Sequence, residues 1–253
     1  MEKYIIGGIM SKVEIRGVLF DNVDMDQATG RVLQLLEEDG CHIVVTPNSE
    51  IAQMCIEDER LRKVINGADM SVPDGIGVLY ASKILKRPLK QKVAGVDLAK
   101  SLLPVMAEKG ISLFLFGAKQ EVVESAEGKI KNDYPGINIC GINNGYFDSD
   151  KEIIEKINNS GADIVFVCLG APKQEFWMYE NRGAINAKVM IGLGGSLDVF
   201  SGKAKRAPDI FIKLGLEWFY RLLKEPKRFF RMLKLPKYLF GTIIYKFKNG
   251  GGN

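Results

Sequence analysis

AKVMIGLGGSLDVFSGKAKRAPDIF, residues 187–211, begins as an apolar strand and breaks at once into a run of glycines. The strand residues Val189–Ile191 are followed by Gly192–Ser196, called the glycine turn below, and then by an amphipathic run. A strand that ends in glycines before a helix leaves backbone N–H groups exposed at the positive helix terminus. The stretch therefore predicts a diphosphate site, with tight strand–helix packing as the alternative explanation of its glycines.

The glycine turn is an incomplete dinucleotide fingerprint. It lacks the third glycine, and it stands late in the chain rather than in a first strand–helix–strand unit. About 20 residues further on, where a ribose-binding acid is expected, the chain offers Glu217 inside a basic, aromatic stretch. The pattern therefore favours a sugar nucleotide or a lipid diphosphate over NAD.

Short apolar strands alternate with amphipathic helices along the chain before residue 202. Strands are predicted at 42–46, 70–73, 112–116, 137–139, 163–169 and 189–191, after one extended segment at 13–20. Helices are predicted at 26–38, 49–56, 59–65, 76–85, 98–108, 120–132, 151–158 and 174–180. Continuous apolar strands between such helices are typical of a parallel sheet covered on both faces. We therefore predict an α/β, Rossmann-like fold with a mainly parallel sheet.

Polar loops follow the carboxyl ends of several predicted strands. In α/β sheets the ligand lies beyond the carboxyl ends of the strands. The loops at these ends contain glycine or proline and are Thr46–Asn48, Pro73–Gly75, Gly117–Ala118, Gly170–Gln174 and the glycine turn. We therefore expect the functional site along this edge.

Asp74 is the candidate catalytic acid of these loops. Pro73 before it has no N–H to donate, and Gly75 after it allows a ligand or another backbone to approach closely. A carboxylate in this position is suited to accept a proton from a sugar hydroxyl that attacks an anomeric carbon. The alternative is that Asp74 caps the helix predicted at 76–85.

Residues that bind metals or act as nucleophiles are sparse. The Asp-x-Asp sequences at 24–26 and 148–150 stand directly before predicted helices, which favours helix capping over metal binding. The sole histidine, His42, precedes an apolar strand and is predicted to be a core residue. The four cysteines form no CxxC pair, which favours buried, reduced thiols. We therefore predict a metal-independent reaction.

The chain from residue 203 onward differs sharply in composition from the rest. Residues 203–248 contain thirteen Lys or Arg against three acids, a net charge of +10, and ten of the 23 aromatic residues. Lys203, Lys205 and Arg206 open this tail, and with the glycine turn they are candidates to stabilise a leaving diphosphate. The longest uncharged apolar run of the tail, 238–245, is too short to span a bilayer.

Two prolines divide the tail into short, basic amphipathic helices. Pro226 and Pro236 are each predicted to lie near a helix start. One face is apolar, with Phe219, Leu222, Leu223, Phe229, Phe230 and Leu233, and an adjacent face is basic, with Arg221, Lys224, Arg228, Arg231 and Lys234. Such helices bind interfaces that contain anionic lipid. A nucleic-acid tail and an oligomer interface are the alternatives.

Taken together, the motifs resemble those of the WecG/TagA/CpsF glycosyltransferases. The resemblance covers residues 12–247 and rests on an ordered set of motifs rather than on any single one. In chain order they are Thr46–Asn48, Val72–Gly75, Gly95–Leu98, Gly170–Trp177 and Gly192–Pro208. The basic, aromatic tail is most similar to that of the members that build the linkage unit of wall teichoic acid.

The resemblance implies an inverting, metal-independent transferase that needs no cofactor. Its substrates would be UDP-ManNAc and undecaprenyl-diphosphate-linked GlcNAc, joined through a β-1,4 bond to the 4-hydroxyl. Members of the family use other sugar donors on the same frame, so a different UDP-sugar is the alternative. A rival from another class is a non-enzymatic membrane or RNA-binding adaptor on a nucleotide-binding fold.

The resemblance also assigns roles to individual residues. Asp74 corresponds to the catalytic base. Lys92 stands where relatives often carry arginine, and lysine lacks the planar fork that binds a phosphate through two hydrogen bonds. The spacing of the tail arginines, not the resemblance, places three of them on one helical face that could reach a diphosphate. Altogether, the predicted substrate-binding residues are Thr46, Asn48, Lys92, Asp97, Gln174, Gly192, Gly194, Gly195, Ser196, Asp198, Arg206, Arg221, Arg228 and Arg231.

These observations predict a two-part organisation. Residues 1–202 form the catalytic domain, and residues 203–253 form an appendage that binds the membrane and completes the active site. The expected location is cytoplasmic, peripheral on the inner face of the cell membrane. The expected partners are the two substrates and the inner leaflet, with a homo-oligomer as a further possibility and without nucleic acid.

Overall fold

A six-stranded parallel sheet lies at the centre of the computed structural model, which describes residues 11–208, 210–211, 216–224 and 233–249. The strands are β1 Lys12–Ile15, β2 Val18–Asp21, β3 His42–Val45, β4 Met70–Ser71, β5 Ser112–Gly117, β6 Asn138–Asn143, β7 Ile164–Cys168 and β8 Val189–Gly192. The order of the large sheet is β4-β3-β8-β7-β5-β6, and every neighbouring pair is parallel. The predicted α/β, Rossmann-like fold is confirmed.

Helices cover both faces of this sheet. They are α1 Met25–Leu35, α2 Ser49–Glu57, α3 Glu59–Asn66, α4 Ile76–Ile84, α5 Gly95–Lys109, α6 Gln120–Asp133, α7 Asp150–Ser160, α8 Lys173–Asn181, α9 Ser196–Phe200, α10 Glu217–Lys224 and α11 Lys234–Asn249. Adjacent strand residues point to opposite faces. Val44 therefore packs in one apolar core with α1, α5, α6 and α9. Val45 packs in the other core, with α2, α3, α4, α7, α8 and α11.

The segment predicted as one extended run at 13–20 is a hairpin instead. Its strands β1 and β2 are antiparallel and meet at Arg16 and Gly17, which have φ angles of 52° and 84°. Positive φ at both turn residues matches the twist of a tight hairpin. The carboxylate of Asp21, at the end of β2, accepts a hydrogen bond from the Ser71 N–H over 2.7 Å and ties the hairpin to β4.

Helix α11 of the tail packs on α2 and α4. Tyr238 and Thr242, one turn apart, have no exposed surface. Gly77 of α4 leaves the space that Leu235 fills, since a Cβ at this glycine would lie 2.5 Å from the Leu235 Cδ1. At the rim, the Lys237 Nζ lies 2.6 Å from the Glu57 Oε1. This helix therefore completes an apolar core that begins on the large sheet.

Predictions about the tail have different outcomes. Pro236 is the third residue of α11, as expected for a proline near a helix start, whereas Pro226 lies outside the described residues. In the part of the chain that the structure describes, no helix is long and apolar enough to cross a bilayer. The division of the chain after residue 202 stays a prediction.

Candidate active site

Four loops meet at the carboxyl edge of the sheet. Thr46 follows β3, Asp74 follows β4, Gln174 follows β7, and the glycine turn follows β8. Because β3, β8 and β7 are direct neighbours and β4 lies next to β3, these loops occupy one continuous edge. The structure thus brings together four of the five predicted loops, and the fifth, Gly117–Ala118, lies at the end of β5, next to β7.

Asp74 faces the N-terminus of α5. Its Oδ2 accepts a hydrogen bond of 3.3 Å from the N–H of Gly95, the first residue of that helix. The N-cap of α4 is Gly75, which has a φ of 88° and makes no side-chain capping bond. The carboxylate of Asp74 therefore lies at the positive end of the α5 dipole, and the N-cap position of α4 belongs to Gly75 rather than to Asp74.

Thr46 links the α5 terminus to the glycine turn. Its hydroxyl donates to the Gly192 carbonyl over 2.8 Å and is buried. A Cβ at Gly95 would lie only 3.0 Å from the Thr46 Oγ1 and 3.3 Å from the Leu193 Cδ2. The absence of a side chain at Gly95 thus allows Asp74, Thr46 and the glycine turn to lie side by side.

Asn48 has a structural role that the sequence did not reveal. Its Oδ1 accepts hydrogen bonds from the Glu50 and Ile51 N–H groups, 2.9 and 3.1 Å long, and caps α2. Its Cβ lies 3.7 Å from the place that a Cβ of Gly75 would occupy, so the residue stands next to the Asp74 loop. Substrate contacts by Asn48 and Thr46 stay predictions.

The glycine turn is held by side chains as well as by its own backbone. Gly194 has a φ of 55°, and its N–H donates to the Gln174 Oε1 over 2.9 Å. The Ser196 hydroxyl donates to the Leu193 carbonyl over 2.7 Å. Asp198 follows in α9, and its carbonyl accepts from the Ala204 N–H. One N–H that the sequence offers to a diphosphate is therefore bonded to Gln174.

Glu175 is a residue of this site that the sequence reasoning missed. It is 1% exposed, and its Oε1 accepts a hydrogen bond of 2.7 Å from the Gln174 Nε2. Its Oε2 has no hydrogen-bond partner among the described residues. Burial raises the pKa of Glu175, against the lowering effect of the bond from Gln174. Glu175 precedes Met178 by three residues, which places both on the buried face of α8. This helical spacing is the sequence signal that indicates burial of Glu175.

Charged groups of the tail meet this edge. Arg206 pairs with Asp97 of α5 through both guanidinium nitrogens, Nη1 and Nη2. The Lys92 Nζ lies 3.3 Å from the Glu217 Oε2 of α10. The Asp97 bond raises the pKa of Arg206 despite its burial, and the charges of Asp97, Glu217 and Asp74 raise it further. Two of the cations predicted to bind a diphosphate, Arg206 and Lys92, thus each lie next to an acid, and Arg206 is close enough to Asp74 to be affected by its charge.

The other tail residues predicted to bind a diphosphate have different outcomes. Arg228 and Arg231 lie outside the described residues, as does the side chain of Arg221. Lys203 pairs instead with Glu121 of α6, at 3.8 Å. Lys205 is exposed.

The Asp-x-Asp sequences cap and begin helices, as predicted. Asp24 forms a capping box with Gln27 at the start of α1. Asp150 begins α7 and accepts a hydrogen bond of 2.8 Å from the Trp177 indole. His42 is buried, as expected, with its Nδ1 3.2 Å from the Asp69 Oδ1. Across the described ranges, no group of three or more His, Cys, Asp or Glu residues could hold a metal ion.

The thiols are free and mostly buried, as the scattered cysteines suggested. None of the four forms a disulfide. Burial raises the pKa of Cys41, Cys55 and Cys168 to about 12. Thiols with such values are not nucleophiles at neutral pH.

The chemistry available at this edge is that of a group-transfer enzyme. A carboxylate at the site can accept a proton, and cations next to it can stabilise an anionic leaving group. The family comparison agrees with this class. Residues 13–251 match the model of the glycosyl transferase WecG/TagA/CpsF family, and the chain belongs to this family of glycosyltransferases.

Several relatives are similar to the chain over most of their length. A protein of Bacillus spizizenii (strain ATCC 23059 / NRRL B-14472 / W23) is 43% identical over 211 residues, 83% of this chain and 82% of the relative. A protein of Bacillus subtilis (strain 168) is 42% identical over 82% of this chain and 80% of the relative. A protein of Staphylococcus aureus (strain MW2) is 38% identical over 86% of this chain and 87% of the relative. All three are named N-acetylglucosaminyldiphosphoundecaprenol N-acetyl-beta-D-mannosaminyltransferase.

Proposed function

We propose that this glycosyltransferase moves N-acetylmannosamine from UDP-ManNAc to undecaprenyl-diphosphate-linked GlcNAc, in synthesis of the wall teichoic acid linkage unit. The names of relatives 38–43% identical to the chain support these substrates. The observation that carries the chemistry is the position of Asp74, whose carboxylate stands at the carboxyl edge beside the α5 terminus. The product would contain a β-1,4 bond.

In this proposal Asp74 is the general base. The 4-hydroxyl of the acceptor GlcNAc gives its proton to the Asp74 carboxylate as its oxygen attacks C1 of ManNAc. The new O–C1 bond forms as the bond from C1 to the diphosphate oxygen breaks, and UDP leaves with the bonding electron pair. Attack opposite the leaving group inverts the configuration at C1.

Cations of the site stabilise the leaving diphosphate in this scheme. Arg206 and Lys92 are the described candidates, since Arg206 lies near Asp74 and both cations lie near Glu217. Their present partners, Asp97 and Glu217, hold the charge at the site until the diphosphate arrives. Arg221, Arg228 and Arg231 of the tail are proposed to complete this group of cations.

The reaction is proposed to need no metal ion. Asp24 and Asp150, the acids that a sugar-nucleotide metal site would recruit, are engaged in a capping box and with the Trp177 indole. Activity that EDTA abolishes and Mg²⁺ or Mn²⁺ restores would contradict this part of the proposal.

The appendage from residue 203 onward is proposed to hold the enzyme on the inner leaflet. Helix α11 contains four lysines and no acid. Its outer side exposes Phe240, Ile243, Ile244 and Phe247, with exposed fractions of 66%, 39%, 41% and 77%. This i, i+3, i+4, i+7 spacing forms one apolar stripe, and a basic helix with such a stripe binds anionic lipid surfaces.

The test is a transfer assay with a panel of UDP-sugars and a short-chain, soluble GlcNAc-diphosphate lipid. We expect UDP release and a disaccharide product with UDP-ManNAc when the acceptor is present. UDP-GlcNAc and UDP-glucose serve as matched donors. Faster transfer from either of them would assign a different donor, and release of UDP without a glycosylated lipid would contradict the acceptor.

A further inference from the structure

We propose that Glu175 is a positioning residue that orients the Gln174 amide and thereby holds the glycine turn in the shape that receives the donor diphosphate. The inference rests on the proposed function, since it takes the glycine turn as the nucleotide site. It assigns a role to a side chain that has no direct path to the substrate, because Glu175 is 1% exposed.

Two consecutive hydrogen bonds connect Glu175 to the turn. The Glu175 Oε1 accepts from the Gln174 Nε2 over 2.7 Å. The Gln174 Oε1 accepts in turn from the Gly194 N–H over 2.9 Å. Gln174 is itself 2% exposed, so water cannot replace either bond readily. The Gln174 amide therefore gives the Glu175 carboxyl a hydrogen-bonded path to the turn.

The two ends of a glutamine amide have nearly the same shape but opposite hydrogen-bonding character. Only one orientation of Gln174 presents its oxygen to the Gly194 N–H. An acceptor at residue 175 favours that orientation, because the amide NH₂ then points to the Glu175 oxygen. An apolar side chain at 175 removes the preference and leaves the amide NH₂ without a partner.

The glycine turn is also in close contact with side chains on two sides. A Cβ at Gly192 would lie 2.8 Å from the Met178 Cε and 3.1 Å from the Gln174 Nε2, so the amide packs against the turn backbone. On the other side, the Thr46 hydroxyl donates to the Gly192 carbonyl over 2.8 Å. The turn is thus held between Thr46 and Gln174.

Glu175 is a poor choice for stability alone. Its Oε2 is buried without a hydrogen-bond partner among the described residues, an arrangement that opposes folding. A side chain of similar length without polar atoms would avoid this penalty. An apolar side chain at residue 175 should therefore increase the stability of the fold but disturb the geometry of the turn. Because the two effects have opposite signs, measurements of stability and of UDP binding can separate them.

The experiment compares Glu175→Met and Glu175→Gln in the full chain. UDP affinity is measured by calorimetry, the KM for UDP-ManNAc and kcat by turnover, and stability by thermal unfolding. We expect Glu175→Met to weaken UDP binding and raise KM by about tenfold, the effect of one hydrogen bond, with kcat little changed. Its melting temperature should equal or exceed that of the unaltered protein. Glu175→Gln retains an acceptor oxygen and should restore most of the affinity.

The matched control is Glu180→Met, which makes the same substitution on the same helix. Glu180 is half exposed and pairs with Arg60 at the surface, so UDP affinity should not change. A second control is Gln174→Met, alone and combined with Glu175→Met. If Glu175 acts through Gln174, the double variant should bind UDP no more weakly than Gln174→Met alone.

Three results would overturn the inference. The first is that Glu175→Met binds UDP as well as the unaltered protein does. The second is that Glu175→Met reduces UDP affinity equally in the presence of Gln174 and in the Gln174→Met background. The third is that the unaltered protein does not bind UDP. If Glu175→Met does not fold, Glu175→Leu makes the same test, because it also removes the acceptor at residue 175. UDP affinity equal to that of the unaltered protein would again overturn the inference. UDP binding without ManNAc transfer would contradict only the proposed function.

Discussion

Asp74 contacts a helix terminus and also lies near a cation. It accepts from the first N–H of α5, and Arg206 lies close enough for the Asp74 charge to raise the arginine pKa. Asp74→Asn preserves an acceptor oxygen for Gly95 but cannot take up a proton. We expect kcat to fall by about 10²–10⁴-fold, with UDP affinity nearly unchanged. Turnover and UDP calorimetry measure the two effects.

The control for this substitution is Asp26→Asn. Asp26 is an exposed acid in the first turn of α1, so its loss should leave turnover intact. Near-normal turnover of a folded Asp74→Asn protein would leave the residue with a structural role only.

The buried carboxyl of Glu175 predicts a specific dependence of stability on pH. Its pKa in the folded protein is raised above the ordinary value of 4.5, mainly by burial. The folded state therefore holds a proton that the unfolded state releases, and stability falls as pH rises from about 4.5 through the raised pKa. Glu175→Gln should reduce this fall, as measured by urea unfolding between pH 5 and 8. Parallel pH curves for Glu175→Gln and the unaltered protein would refute the prediction, and Glu180→Gln is the control.

Residues whose partners are close in sequence were predictable. Asp24 and Gln27 form their capping box within one turn, and a local pattern is sufficient to recognise it. The bond from Gly194 to Gln174 joins residues twenty positions apart, so it depends on the packing of α8 against β8. Similarly, Asn48 was correctly placed at the edge, but its role as cap of α2 was not recognised.

Among the elements, α10 is connected to the site by an ion pair. The Lys92 Nζ and the Glu217 Oε2 are 3.3 Å apart, and both side chains are about one-fifth exposed. Glu217→Lys places two cations together and should loosen α10. We expect limited proteolysis of the tail to become about threefold faster, consistent with a partly exposed pair worth up to about 1 kcal/mol.

Exchange of the two charges provides the control. Lys92→Glu combined with Glu217→Lys restores opposite charges and should return the cleavage rate most of the way to its original value. Equal cleavage of the single and double variants would show that this pair does not hold α10. Activity is not expected to return, since the exchange removes a cation proposed to bind diphosphate.

Elements were easier to predict than their arrangement. Apolar runs identified the strands of the large sheet, because five of the six are buried along their whole length. The exception is the edge strand β6, which is mostly half-buried and extends to Asn143, beyond the run predicted at 137–139. Their order depends on crossovers that local patterns do not specify, such as the insertion of β8 between β3 and β7. The hairpin was missed because Arg16 and Gly17 lack the Asn-Gly signal of a two-residue turn. Helix α5 begins at Gly95, three residues before its predicted start, against the Asp74 loop.

For the whole molecule, the apolar stripe of α11 predicts where the protein meets lipid. Phe240→Ser with Phe247→Ser should reduce binding to vesicles that contain phosphatidylglycerol by at least about tenfold, since each buried phenyl ring contributes about 1.5–3 kcal/mol. Both rings are exposed, so folding should be unaffected. Co-sedimentation at low and high salt measures the apolar and electrostatic contributions.

Tyr179→Ser is the control for this experiment. Tyr179 is 51% exposed on α8, outside the stripe, and its loss should not alter vesicle binding. Unchanged binding of the double phenylalanine variant would remove α11 from the proposed lipid-binding surface.

Composition predicted that the tail is distinct, but not which of its residues face inward. The apolar run 238–245 was recognised only as too short to span a membrane. In the structure it supplies both the buried Tyr238 and the exposed Phe240. The difference arises because α11 packs on α2 and α4, surfaces that belong to distant parts of the chain.

The burial of Tyr238 and Thr242 against α2 and α4 also affects how the chain is made. A ribosome synthesises both of those helices within the first third of the chain but reaches Thr242 much later. A nascent chain that has passed α4 but has not reached Thr242 therefore exposes the apolar surface that α11 later covers, and exposed apolar surface binds chaperones and promotes aggregation. Coverage of that surface waits for the same helix whose outer stripe is proposed to contact lipid. Maturation and delivery to the membrane would then be coupled in time.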